Sequence, residues 1–266
     1  MIKKAVFYTF ILFAVMLTSC SKYQKLLKST DNDLKYETAM DFYEKKDYNR
    51  ALELFDLLQA SFRGTGRGEE ISYHMAYSYY YLKDYTVASF YFKRHAQTYP
   101  NSARAEECMF MNAYCYYLDS PKPSLDQSNT YLAIKELQTF MDSYPKSERI
   151  AECNNLIDNL REKLELKDFN IAILYYRMND YEAAITSFQN LMKNYPDTDR
   201  SEEILYNMAV AYYEYAEKSI AGKQRERYEL SLESYNNLRF QYPESSYLKS
   251  LESIQARTRN KLANQN

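Results

Sequence analysis

Tryptophan is absent from this 266-residue chain, and glycine (4), proline (6), cysteine (4) and histidine (2) are all scarce. Each scarcity removes a class of protein. So few turn-forming residues cannot supply the many tight reversals of an all-β domain of this length. Four cysteines without a Cys-x-x-Cys pair, joined only by His74 and His95, leave almost nothing from which to build a zinc site. The two histidines also assemble no Ser/His/Asp or Cys/His set, no phosphate-cradling glycine loop occurs, and the carboxylates scatter over positions that read as solvated helix faces. The expectation is a non-enzyme with no cofactor and no metal. Formal net charge is −2, without a long run of one sign, so nucleic acid is not an expected partner.

What is abundant points the other way. Leu, Lys, Glu and Ala are plentiful and tyrosine reaches 30, a composition for long, rarely broken helices rich in rings. The N-terminus has a separate character: Lys3 and Lys4 precede an apolar run, Ala5 to Leu17, that is too short to span a bilayer. It ends in Leu17-Thr18-Ser19-Cys20, which resembles the bacterial lipobox. Residues 1–19 then read as a lipoprotein signal peptide, with Cys20 the lipidated mature N-terminus and 20–31 a linker. Ser21 stands where an inner-membrane-retained lipoprotein tends to carry aspartate, which favours the outer membrane. Cys108 and Cys115 are seven residues apart on one predicted helix, roughly 10 Å along its axis and too far to bridge. They and Cys153 read as buried thiols, with a disulfide from Cys153 to one of the others left open.

Four of the six prolines share one context: Tyr99-Pro100, Tyr144-Pro145, Tyr195-Pro196 and Tyr242-Pro243, each followed two residues later by Ser102, Ser147, Thr198 or Ser245, available to cap the next helix. Punctuation at near-regular intervals marks internal repeats. Aligned on these prolines, Ala76, Tyr79, Ala88, Phe92 and Pro100 have the same spacing as Ala172, Tyr175, Ala184, Phe188 and Pro196. An earlier copy reads Ala39, Phe42, Ala51 and Phe55, with Arg63 in the proline position before Gly64, Gly66 and Gly68. Two more copies, Ala113/Tyr116 with Ala133/Leu137/Pro145 and Ala209/Tyr212 with Ser231/Tyr235/Pro243, need insertions near 119–127 and 219–228, read as lengthened loops at hairpin tips. These offsets resemble the tetratricopeptide repeat (TPR), in which small and aromatic residues let two antiparallel helices approach closely.

The expected fold is an all-α superhelical solenoid of five such repeats. Repeats 1–2 occupy 32–101, repeats 3–5 occupy 102–244, and a capping helix with tail fills 245–266, its Leu248, Leu251, Ile254 and Leu262 covering the last apolar face. Between Pro145 and the fourth repeat, Ile150, Cys153, Ile157, Leu160 and Leu164 recur at spacings of three and four, so a long first helix or an extra one sits there.

On the first helix of every repeat two adjacent positions read Phe42-Tyr43, Tyr79-Tyr80, Tyr116-Tyr117, Tyr175-Tyr176 and Tyr212-Tyr213, and an earlier one reads Tyr36, Tyr73, Phe110, Phe169 and Tyr206. Neighbours on a helix point about 100° apart, so the first of each pair is expected in the core while the second leans towards a groove. Tyrosine suits both roles, since its ring packs and its hydroxyl stays wet. The candidate peptide-binding residues are Tyr36, Tyr43, Tyr73, Tyr77, Tyr80 and Tyr81.

A lipobox, a short linker, five repeats, insertions in the third and fifth and a closing helix together resemble the BamD family, lipoproteins of the outer-membrane β-barrel assembly machine. The resemblance implies that repeats 1–2 form a substrate-binding half for unfolded outer-membrane β-barrel proteins. It implies that repeats 3–5 form a partner-docking half for the periplasmic domains of BamA, but it carries over no individual contact residues; the candidate contacts named here are Tyr176, Arg177, Tyr213 and Glu214 on the first helices of the fourth and fifth repeats. The lipid on Cys20 would hold the chain at the periplasmic face of the outer membrane. Two other readings share the repeats: an envelope adaptor for cell-wall or division proteins, and a glycan binder similar to the SusD family. The latter is usually much longer, and no tryptophan is here to stack on a sugar.

Overall fold

A computed structural model describes residues 22–264; the expected leader and Cys20 lie outside them. The described residues fold into α-helices joined as antiparallel hairpins, the tetratricopeptide architecture read from the repeat. We label them α1 (Asn32–Glu44), α2 (Tyr48–Leu58), α3 (Gly66–Tyr81), α4 (Tyr85–Thr98), α5 (Ala105–Leu118), α6 (Ser128–Ser143), α7 (Ile150–Arg177), α8 (Tyr181–Asn194), α9 (Ser201–Glu217), α10 (Ala221–Gln241) and α11 (Ser246–Ala263). Among the described residues they form two compact units: 22–121 with 126–160, and 122–125 with 161–264.

Local chemistry fixes the hairpins. Three of them turn through a Lys-Asp or Asn-Asp pair, Lys46-Asp47, Lys83-Asp84 and Asn179-Asp180. The first member takes a positive φ of 61°, 63° or 62°, closing the preceding helix in the left-handed conformation that ends many helices. The aspartate then caps the next helix, its carboxylate accepting from the backbone N–H of Arg50, Val87 or Ala183. Between repeats the stop is Tyr-Pro. A residue before proline is pushed out of the helical region, and Tyr99, Tyr144, Tyr195 and Tyr242 share one geometry, with φ of −124°, −129°, −131° and −132°.

The repeat positions are the core. Ala39, Ala76, Ala113 and Ala172 on first helices, Ala51, Ala88, Ala133 and Ala184 on second helices, and Phe55, Phe92, Leu137 and Phe188 are fully buried. In the last repeat Ser231 replaces the alanine and gives its hydroxyl to the Ala209 carbonyl at 2.8 Å, so the close approach survives the polar atom. Gly68 marks another close approach, since a Cβ there would lie 2.1 Å from the Phe62 carbonyl oxygen.

Four features differ from the sequence reading or decide between its alternatives. Residues near 219–228 are not a loop: α9 ends at Glu217, α10 starts at Ala221, and the added residues extend a 21-residue helix. The segment after Pro145 is one 28-residue helix, α7, with no extra helix beside it. Linker residues 22–27 are helical, and Tyr23 packs on the first repeat, its ring 5.6 Å from Phe42 and its hydroxyl donating to Glu53 at 2.7 Å. Cys108, Cys115 and Cys153 are free and buried; burial pushes the first two thiols up to about 12 and the third to about 11. In the second unit α11 lays Leu248, Leu251 and Ile254 against Leu205, Ala209, Tyr235 and Leu238, while Leu262 reaches Tyr213 and Tyr228.

A tyrosine-lined candidate peptide-binding site

Successive repeats are joined side chain to side chain at the repeat period. Glu69, Glu106 and Glu165 on the first helices accept the hydroxyl protons of Ser102 (2.6 Å), Ser147 (2.5 Å) and Thr198 (2.5 Å). Those hydroxyls also accept the backbone N–H of Arg104, Arg149 and Arg200, closing a turn just ahead of the helix; only Ser245 acts as the helix cap itself. Each arginine then covers the ring four residues beyond the glutamate: Arg104 over Tyr73 at 4.6 Å, Arg149 over Phe110 at 4.3 Å and Arg200 over Phe169 at 5.7 Å. Arg67 treats Tyr36 alike at 4.9 Å, and at the last repeat Tyr247 replaces the arginine, stacking on Tyr206 at 4.6 Å. The earlier aromatic of each first helix is therefore a roofed ring. The sequence reading passed over these arginines, although Ser/Thr-x-Arg follows three of the four Tyr-Pro stops.

In the first unit further rings gather beside the roofed Tyr73. Tyr73 and Tyr77 are 4.8 Å apart, Tyr77 lies 6.1 Å from Tyr80 and 5.8 Å from Tyr81, and Tyr81 lies 6.4 Å from Tyr43. Tyr43, Tyr73, Tyr77 and Tyr80 are half-buried and Tyr81 is 47 % exposed, so five of the six expected residues form one connected, partly wet aromatic surface. Tyr36 stands apart, 7 % exposed, against Phe62 and Arg67. Two members were not expected. Tyr48 stacks on Tyr81 at 5.0 Å, and His74 lies 4.4 Å from Tyr43. Tyr48 was legible as the residue after a capping aspartate, a place Tyr85 and Tyr181 also hold.

Glutamates anchor these phenols. Tyr73 donates to Glu107 at 3.1 Å, Tyr77 donates to the other oxygen of the same carboxylate, and Tyr36 donates to Glu70. Burial, then the carboxylate, pushes Tyr36 and Tyr73 up to about 12 and raises Tyr77 as well; burial and the neighbouring phenols raise Tyr43. These rings stay neutral donors at physiological pH. His74 is pushed down to about 4 by burial, with Arg104 adding to it, and burial also lowers His95. The imidazoles are neutral too, and both His95 ring nitrogens are buried without a partner among the described residues. What the surface offers is apolar ring area and phenolic oxygens.

The second unit treats its aromatics differently. Tyr176 is half-buried with its ring 5.8 Å from Tyr181, Arg177 is exposed and Glu214 half-exposed. Tyr213 is 4 % exposed, held between Tyr228 at 6.0 Å and the Arg257 guanidinium at 5.0 Å. Tyr175, expected in the core as first of its pair, is 37 % exposed instead. Phe169, Ala172 and Tyr176 share the buried face of α7, which turns Tyr175 outward with Ile171, Leu174 and Met178. Among the described residues no group of three or more His, Cys, Asp or Glu side chains is placed to hold a metal ion, and no helix is long and apolar enough to cross a membrane.

The BamD of Rickettsia prowazekii (strain Madrid E), described as an outer membrane protein assembly factor, is 28 % identical over 87 residues, which are 33 % of this chain and 35 % of that protein. The match thus spans about a third of that relative's length. The solved TPR domain of P58(IPK) covers 93 % of this chain and 68 % of its own, at 14 % identity and a TM-score of 0.39. The profile described as YfiO, outer membrane lipoprotein, matches residues 28–230, most of the chain. This chain therefore belongs to the YfiO family of outer membrane lipoproteins.

Proposed function

We propose that the chain is a lipid-anchored periplasmic scaffold of the outer-membrane β-barrel assembly machine, holding unfolded outer-membrane protein segments on its first two repeats and docking the periplasmic domains of BamA through its last three. The observation that carries this reading is the connected tyrosine surface of the first unit. Rings fixed by glutamates are already ordered, so an extended apolar segment meets them at little entropic cost. The barrel strands of the substrate class alternate apolar and polar side chains, and a row of rings with phenolic edges accepts both.

Acylation of Cys20 holds this surface at the membrane, each buried methylene contributing about 0.8 kcal/mol, and raises the local concentration of a captured segment beside its partner. In the docking half Tyr176, Arg177 and Glu214 offer the accessible side chains, and Tyr213 acts from inside the unit by setting the packing of α9. A photo-crosslinking residue placed at Tyr81 or at Arg177 of the full chain in native membranes tests the division of labour. Adducts with unfolded barrel proteins are expected at Tyr81 and with BamA at Arg177. Cell-wall or division enzymes at both positions would replace this reading with that of an envelope adaptor.

A further inference from the structure

A concavity in the first unit carries a chemistry different from that of the tyrosine surface. It encloses about 400 Å³ beside α2, α3 and α4, and its lining includes Arg63, Arg94, Asp56, Ser72, Thr98 and Tyr99 but none of the tyrosines of the connected surface. Arg63 occupies the repeat position that is Pro100, Pro145, Pro196 and Pro243 elsewhere, so this cation departs from the chain's own pattern.

The charges there are unbalanced. Arg50, Arg67, Arg149 and Arg200 each pair with a carboxylate. Among the described residues the guanidiniums of Arg63 and Arg94 pair with none. The one carboxylate in the lining, Asp56, accepts the Gln59 amide at 3.0 Å. Thr98 spends its proton on the Arg94 carbonyl at 2.7 Å, while Ser72 and Tyr99 spend theirs on no protein group among the described residues. Gly68 leaves the Tyr99 hydroxyl uncovered, since a Cβ there would stand 3.1 Å from it. Two like charges face one hollow beside two uncommitted hydroxyl donors, an arrangement that an anion relieves.

We propose that this hollow binds a phosphate group, carried by a soluble organophosphate or by the headgroup of an anionic phospholipid. Two guanidinium forks and two hydroxyls present more donors than the two oxygens of a carboxylate use, and they suit a tetrahedral anion with several acceptor oxygens. Asp56 leaves room for a cationic or hydroxylated substituent on the phosphate. The site is separate from the tyrosine surface and stands whether or not that surface binds peptides.

The test uses the full chain in maltoside micelles, which contain no phosphate. Titration with glycerol 3-phosphate and inorganic phosphate is followed by calorimetry. Hydrogen exchange of residues 63–72 and 91–99 is then compared between micelles and phosphatidylglycerol nanodiscs. Binding of glycerol 3-phosphate that falls at least about tenfold in Arg63→Gln/Arg94→Gln identifies a soluble source. Protection only in nanodiscs, lost in that double variant, identifies the headgroup. Both arginines are exposed, so the variant keeps its helical content, checked by circular dichroism. Arg63→Lys/Arg94→Lys, which keeps charge without the forks, is expected to recover only part of the binding. No binding in either setting, or equal behaviour of wild type and Arg63→Gln/Arg94→Gln, overturns the proposal.

Discussion

The two units use one hairpin and finish it in opposite ways. In the first, the second aromatic of each pair stays half-buried and meets its neighbours, so Tyr43, Tyr77, Tyr80 and Tyr81 form a surface. In the second, Tyr175 and Tyr176 keep some exposure, but the last repeat closes over its pair, Tyr212 and Tyr213 being 7 % and 4 % exposed. The residues that lengthen α10 supply the fully buried Tyr228, whose hydroxyl is tied to Glu217, and α11 closes the rest. A repeat fixes where an aromatic stands. Whether it is offered to a ligand depends on what the neighbouring element adds on top, and that differs between units.

The comparison can be broken first at its cores. Phe92→Ala in the first unit and Phe188→Ala in the second remove equivalent, fully buried rings, and each is expected to cost about 3–5 kcal/mol. The loss should appear as faster hydrogen exchange in the unit that carries the substitution; equal acceleration in both units from either variant would dissolve the distinction between them.

Glycine separates the units next. Gly68→Ala drives a Cβ to 2.1 Å from backbone and is expected to destabilise by ~1–3 kcal/mol. Gly222→Ala, with nothing within 4 Å of its Cβ, is expected to stabilise by ~0.4–1 kcal/mol. Denaturant midpoints of the two variants should move in opposite directions.

Acid sharpens the contrast because both histidines are in the first unit. His74 folds with its pKa lowered from 6.5 to about 4 by burial and Arg104, against the opposing pull of Glu70. Between those values the unfolded chain binds more protons than the folded one, so this contribution is complete above pH 6.5 and is lost as pH falls towards 4. His95 shifts the same way. Exchange in the first unit should rise over that window and flatten in His74→Phe, with the second unit showing no histidine-dependent change.

The last comparison lies in the turns. Lys83 holds a positive φ without glycine's freedom, so Lys83→Gly is expected to stabilise by ~1 kcal/mol. Asn179→Gly should gain less, because asparagine tolerates that conformation. Thermal melts of the two variants give the comparison.

Much of this was legible in the sequence because a repeat makes burial periodic. Ala76, Ala88 and Phe92 announce the same contact as Ala172, Ala184 and Phe188, and Tyr-Pro marks each stop. Five of the six expected tyrosines meet in one surface for the same reason. What was not legible depends on partners distant in sequence or on competing local preferences. The insertion near 219–228 reads as a loop, yet its Gly222 sits in the first turn of α10, where the helix formers around it prevail. The roofing arginines act on rings 31 to 39 residues away, Arg104 on Tyr73 and Arg149 on Phe110, and no local pattern names such a pairing. Tyr175 turned outward because α7 is a single long helix whose buried face is set by Phe169 and Ala172.

The most direct measurement is the affinity of an extended peptide with alternating aromatic and polar residues for the full chain and for Tyr43→Ala/Tyr81→Ala and Tyr175→Ala. An offered ring surface in the first unit predicts at least a tenfold loss, about 1.4 kcal/mol, in the double variant and none in Tyr175→Ala. Equal affinity for wild type and Tyr43→Ala/Tyr81→Ala, with folding intact, would contradict it.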